Sequence, residues 1–153
     1  MAIAVKWHDK ELKKMVADAA MDAVKRGCFL VEGDAKKLMK PGSGNVYPRP
    51  GGKMHHASAA GQPPAVDTGR LRASISSNWN GSGMDRGNVD SQAGSDDGVG
   101  RPDKELTGVV GTNVEYAGYL EMGTVKMGPR PYLRPALEKN RSKILGLFRD
   151  LIK

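Results

Sequence analysis

Cysteine, aromatic residues and long apolar runs are all scarce in this 153-residue chain, and each scarcity removes a class of protein. Cys28 is the only cysteine, so no disulfide framework forms within one chain. Met1 to Val5 is a short apolar run without a secretory cleavage pattern, and the two observations together predict folding in the reducing cytosol of a cell. Val24, Cys28 and Val31 share one apolar helix stripe, where a small buried thiol is the usual role. No apolar run approaches the roughly 20 residues that cross a bilayer, so no membrane partner is expected. Aromatics are only 5% of the chain, which speaks against a single-strand nucleic-acid coat, since such proteins usually need stacking platforms. With 20 Gly and 9 Pro, much of the length must be loop.

What charge there is lies unevenly. The formal net charge is +7, made up of +3 over residues 1–41, +3 over 42–79, −3 over 80–106, −2 over 107–123 and +6 over 124–153. The middle is acidic and the C-terminal segment concentrates the basicity.

From Asp9 to about Met39, Leu12, Val16, Ala19, Ala20, Ala23, Leu30 and Leu38 recur at three- and four-residue spacing, which predicts an amphipathic helix ending at Pro41-Gly42. Asp9 is its expected N-cap. Gly27 in mid-helix costs about 1 kcal/mol against alanine and points to a bend or a close packing contact. Residues 42–66 show no period and read as an extended arm. Alternation from Leu71 to Trp79 predicts a strand, and Leu106 to Val114 a second one that pairs with it across a long flexible loop at 80–104. Tyr116, Tyr119 and Leu120 have the spacing of a short helical turn. Pro131 to Lys153 reads as a final helix with Leu133, Leu137, Ile144, Phe148 and Leu151 in one stripe. The expected fold class is α+β, a small antiparallel sheet packed with a long N-terminal and a C-terminal helix, as one domain over residues 1–153.

Catalytic motifs fail on specific requirements. Gly51-Gly52-Lys53 resembles a phosphate loop superficially, but the earlier glycine falls on Tyr47 and Met54 stands where the magnesium-binding hydroxyl belongs. His55 and His56 are adjacent, so in an extended segment they point apart, and His8 is distant with no cysteine nearby; they read as solvated loop residues rather than metal ligands. No nucleophile, base and acid stand in recognisable local context. No enzyme activity, metal or cofactor is expected.

Two segments carry a resemblance. Gly61-Gln62-Pro63-Pro64 followed by Ala65-Val66-Asp67-Thr68-Gly69-Arg70-Leu71-Arg72-Ala73-Ser74-Ile75 resembles a signature of the phage tail-component family that includes siphophage tail-completion and head-tail joining proteins. Val110-Gly111-Thr112-Asn113-Val114-Glu115-Tyr116-Ala117-Gly118-Tyr119-Leu120-Glu121-Met122-Gly123-Thr124, then Met127 and Arg130-Pro131-Tyr132-Leu133-Arg134-Pro135-Ala136-Leu137, follows the same family's pattern in the same order. The stretch at 80–104 is longer and more polar than that pattern.

The resemblance implies architecture rather than reaction: copies of one chain in a ring, an open channel for the genome, and docking surfaces for head connector or stopper proteins on one side and tail terminator or tail tube proteins on the other. The implied location is the head-tail junction of a virion, after synthesis in the bacterial host cytoplasm. Asp67 and Thr68 have a local role as well, since their side chains bond backbone N–H groups in a turn. Asp67, Arg70, Arg72, Tyr116 and Tyr119 are candidates for subunit or partner contacts, the tyrosines as core or interface packing. Arg130 and Arg134, four residues apart, are expected near one face of the last helix, where they grip a partner carboxylate or face DNA. Lys139, Arg141, Lys143 and Arg149 are candidates for lining the DNA channel, where cations attract phosphate without reading sequence. A tail terminator, a minor tail protein and a nonspecific nucleic-acid binder are the rival readings.

Overall fold

The structure is a computed structural model, and it describes residues 9–42, 44–80, 99–100 and 102–152. In chain order the elements are helix α1 (Asp9–Leu38), strands β1 (Val46–Pro48) and β2 (Met54–His56), helix α2 (Arg70–Ser74), strands β3 (Ser76–Trp79) and β4 (Gly108–Gly111), helix α3 (Ala117–Met122), helix α4 (Leu133–Arg149) and a closing 3-10 turn at Asp150–Ile152. The class is α+β. Each sheet has two antiparallel strands, β1 with β2 and β3 with β4, the second in the register Ser76 to Gly111 and Trp79 to Gly108.

Helix α1 forms the spine. Its apolar positions meet both α4 and the β3–β4 sheet, and Val31, Ala35 and Met39 enter a core with Leu71, Ile75, Val114, Ala117, Tyr132 and Ala136. The sheet lies against α1 through mixed chemistry. The Ser77 hydroxyl donates to Glu32 at 2.6 Å, and Phe29 meets the Trp79 ring edge-on at 5.5 Å between centroids. On the opposite face of β3, the Ser76 hydroxyl accepts the Val99 N–H at 2.8 Å. Both faces of this strand are therefore covered, and all four of its residues are buried.

Helix α4 runs antiparallel to α1 and approaches it closely because small side chains sit at the contact. A Cβ added to Gly27 would meet Ile144 at 3.4 Å, so the mid-helix glycine marks a packing contact. Asn140, fully buried, donates from Nδ2 to Asp34 at 2.8 Å and to the Ala136 carbonyl at 2.9 Å. The expected stripe on α4 is rotated as a result. Ala136 and Asn140 face α1, Leu133 and Ile144 are half-buried, and Leu137 and Phe148 are exposed at the flank.

Three further expectations are corrected. The strand expected from Leu71 to Trp79 is helical in its first half. Gly69, at φ 83°, takes the left-handed turn that glycine tolerates, the Ala73 N–H then reaches the Gly69 carbonyl at 2.8 Å, and the Ser74 hydroxyl donates back to the Leu71 carbonyl. Leu71 and Ile75, four residues apart, fit a helix turn as well as they fit alternation, and tertiary burial decides. The arm at 42–66 is not featureless. It holds the β1–β2 hairpin, reversed through Gly51 and Gly52 at φ 84° and 73°, and the Arg49 N–H bonds the Lys53 carbonyl at 2.8 Å. The second strand is shorter than expected, because Leu106 at φ 53° lies outside it and Val114 accepts the Ala117 N–H that opens α3. The loop expected at 80–104 falls largely outside the described residues.

Candidate interface site

The segment after the arm builds the site. The Val66 N–H bonds the Lys40 carbonyl at 2.9 Å, which fixes the chain beside the end of α1. Thr68 Oγ1 accepts the Arg70 N–H at 3.3 Å, a local turn of the kind the sequence suggests. Asp67 does something else. Its Oδ1 takes an Arg49 guanidinium nitrogen at 2.6 Å and His55 Nδ1 at 3.3 Å, so the carboxylate ties the hairpin to the entry of α2. His55 is accordingly half-buried against Asp67 rather than solvated, while His56 is exposed. His8 lies outside the described residues.

The other wall comes from the second signature. Gly123 at φ 79° turns the chain after α3, where an added Cβ would stand 2.8 Å from the Met127 carbonyl oxygen and 2.9 Å from the Pro129 nitrogen. A short bridge pairs Thr124 with Met127. Arg130 then fastens three pieces together: its N–H bonds the Leu120 carbonyl at 2.6 Å, and its Nε bonds the Ser58 carbonyl of the arm at 3.1 Å. Glu121 holds the next step. Its Oε2 accepts the N–H groups of Tyr132 at 2.8 Å and Leu133 at 3.1 Å, and its Oε1 accepts that of Arg134 at 2.9 Å. A carboxylate at the positive end of a helix supplies the first-turn N–H groups with the partners they lack. Burial and the nearby Glu121 carboxylate push the Tyr132 hydroxyl above its ordinary range, keeping it neutral in the core.

Between these walls lies an open cleft of about 630 Å³. Asp67, Arg70, Arg72, Tyr116 and Arg130 all line it, so residues far apart in the chain but together in the two signatures meet in space. With Lys126 also at its edge, the cleft is cationic and suits a carboxylate-bearing partner. Tyr116 and Tyr119 are 40% and 62% exposed, so neither is a core residue. Tyr119 and Arg134 lie outside the cleft lining, and Arg130 precedes α4 instead of sharing a helix face with Arg134. The capping role of Glu121 escapes sequence rules, because those look for a cap beside the helix and this one acts from 11 to 13 residues upstream.

The basic residues of α4 are divided. Lys139 pairs with Asp34 of α1 at 3.1 Å, and helix geometry sets Arg141 about 160° around the axis from it. Lys143 lies near the Lys139 side, and Arg149 lies between the two. All four are exposed on their solvent sides. Among the described residues no helix is long and apolar enough to cross a membrane, and no group of three His, Cys, Asp or Glu side chains is placed to hold a metal ion.

Comparison with curated proteins and with solved structures returned no match. A family model described as "Bacteriophage HK97-gp10, putative tail-component" matches residues 9–123, from the first described turn of α1 through the cleft to Gly123, and the chain belongs to that HK97-gp10-like family.

Proposed function

We propose that this chain is a structural virion protein of the phage neck, of the tail-completion or head-tail joining type, and that copies of it form a ring around the DNA channel between head connector and tail tube. The supporting observation is the gathering of Asp67, Arg70, Arg72, Tyr116 and Arg130 into one open cationic cleft, with membership of a tail-component family. The charged groups of the cleft hold the arm in place or face outward, as docking surfaces do. In this reading the protein is no enzyme and takes no cofactor. The cleft receives an acidic surface of a neighbouring subunit or neck protein, and exposed cations of α4 such as Lys143 and Arg149 lie toward the genome.

The test is electron microscopy of particles carrying an epitope-tagged copy. Label confined to the head-tail junction supports the neck role. Label along the tail, or absent from particles, overturns it. Arg70→Glu combined with Arg72→Glu is expected to leave the chain folded and to abolish its incorporation.

A further inference from the structure

Among the described residues, nothing covers the first turns of helix α1. Asp9 to Asp18 are exposed at every position, and the apolar face that packs on α4 at Gly27 continues toward the start of α1 as Leu12, Met15, Val16 and Ala19. That is the i, i+3, i+4, i+7 stripe of a helix that buries one side. Leu12, Met15 and Val16 are 52%, 69% and 61% exposed. The same chain also carries an empty counterpart. Between α1, β4 and α4 runs a groove of about 500 Å³, walled by Val24, Cys28, Val110, Leu137, Ile144 and Phe148. It extends along α4 from Leu133 to Phe148, roughly 22 Å at 1.5 Å per residue, and the exposed stretch of α1 spans about 15 Å.

The charges flanking the two surfaces match. Glu11 and Asp18 lie seven residues apart along one edge of the α1 stripe, so two helical turns bring them to the same side. Arg134 and Arg141 have the same separation along the exposed edge of α4 beside Leu137. Lys14 stands between the two acids and Glu138 between the two bases, so on antiparallel helices Glu11, Lys14 and Asp18 meet Arg141, Glu138 and Arg134 with opposite charges throughout, a complementary pair of helix faces.

We infer that the groove of one copy receives the first three turns of α1 from a second copy, Leu12, Met15, Val16 and Ala19 lying on Val24, Leu137 and Phe148 with Glu11 and Asp18 opposite Arg141 and Arg134. The contact is heterologous, donor on one side and acceptor on another, which is the kind that closes into a ring. It rests on the ring reading above and names the surfaces that make the ring. The groove's floor is tightly packed: a Cβ at Gly108 would overlap the Cys28 thiol, so the strand already lies as close to α1 as atoms allow.

The experiment is a charge swap read by sedimentation of the full-length chain. Glu11→Arg with Asp18→Arg, and separately Arg134→Glu with Arg141→Glu, are each expected to weaken self-association roughly tenfold or more, all four residues being exposed and the fold unaffected. Carrying all four changes in one chain restores association toward the wild-type level. Equal association of both swapped chains and the wild type, no recovery in the fourfold variant, or a wild-type chain that stays monomeric up to about 1 mM overturns the assignment. Particle labelling keeps the two questions apart: recovery in the fourfold variant with label away from the junction sinks the neck reading and leaves the contact, and the reverse result does the opposite.

Discussion

Asn140 on α4 donates a hydrogen bond to the Asp34 carboxylate on α1 at 2.8 Å, a polar contact at the centre of the interface between the two long helices. That bond, and after it the one from Lys139, holds the Asp34 carboxyl below its ordinary value of 3.8. The unfolded chain therefore takes up this proton more readily than the folded one. The stability contributed is complete above pH 3.8 and is lost as acid carries the solution down through the folded-state value. Urea titrations below pH 4 should show a shallower acid loss for Asp34→Asn than for the wild type. Asn140→Ala should cost about 1 to 3 kcal/mol at neutral pH, because the partly exposed Asp34 carboxylate loses one of its donors and a space opens beside Ala136.

Glu121 serves three N–H groups at the start of α4. Glu121→Ala is expected to destabilise the fold by about 2 kcal/mol, while Glu121→Gln keeps an oxygen acceptor and loses about half as much. Denaturant midpoints of the three proteins decide it, and equal losses for the two variants would refute the capping role.

Gly108 leaves no room for a side chain, since an added Cβ overlaps the Cys28 thiol and stands 2.8 Å from Val24 Cγ1. Gly108→Ala should cost about 1 to 3 kcal/mol through overpacking. Cys28→Ala in the same chain should recover part of that loss, a coupling that a double-mutant cycle measures. The thiol itself is inert: burial, and then the Glu32 charge, pushes it up to about 11, so maleimide labelling of the native chain at neutral pH is expected to be slow.

The arm is tied down by Asp67 through partly exposed side chains of Arg49 and His55. Asp67→Ala should lower overall stability by no more than about 1 kcal/mol. Limited proteolysis should nevertheless cut between residues 42 and 66 several times faster, since local opening and global unfolding are separate events.

These contacts also show where the sequence could be read and where it could not. The two long helices announce themselves, because their apolar positions repeat with the helix period and Pro41-Gly42 and Pro131 mark their ends. Leu71 to Trp79 misleads, because Leu71 and Ile75 satisfy two periods at once and only Gly69 at positive φ, with core burial, selects a helical turn first. The hairpin at 46–56 hides because its strands are three residues long, exposed, and held by backbone bonds and by Asp67 instead of an apolar face. At the cleft, the residues themselves were legible from the signatures; their partners were not. Arg130 grips a carbonyl 72 residues away, and no spacing rule reaches that far.

The overhang of α1 has a consequence for how the free chain behaves. Its first ten residues, exposed at every position, extend a helix already nucleated further along, so they fray from the free end and their helicity follows local energetics. Amide hydrogens from Asp9 to Asp18 should exchange within seconds in dilute solution while those around Val31 stay protected. As concentration rises and copies meet, protection should spread toward Asp9, so that the last part of the spine to become rigid is the part that joins one molecule to the next.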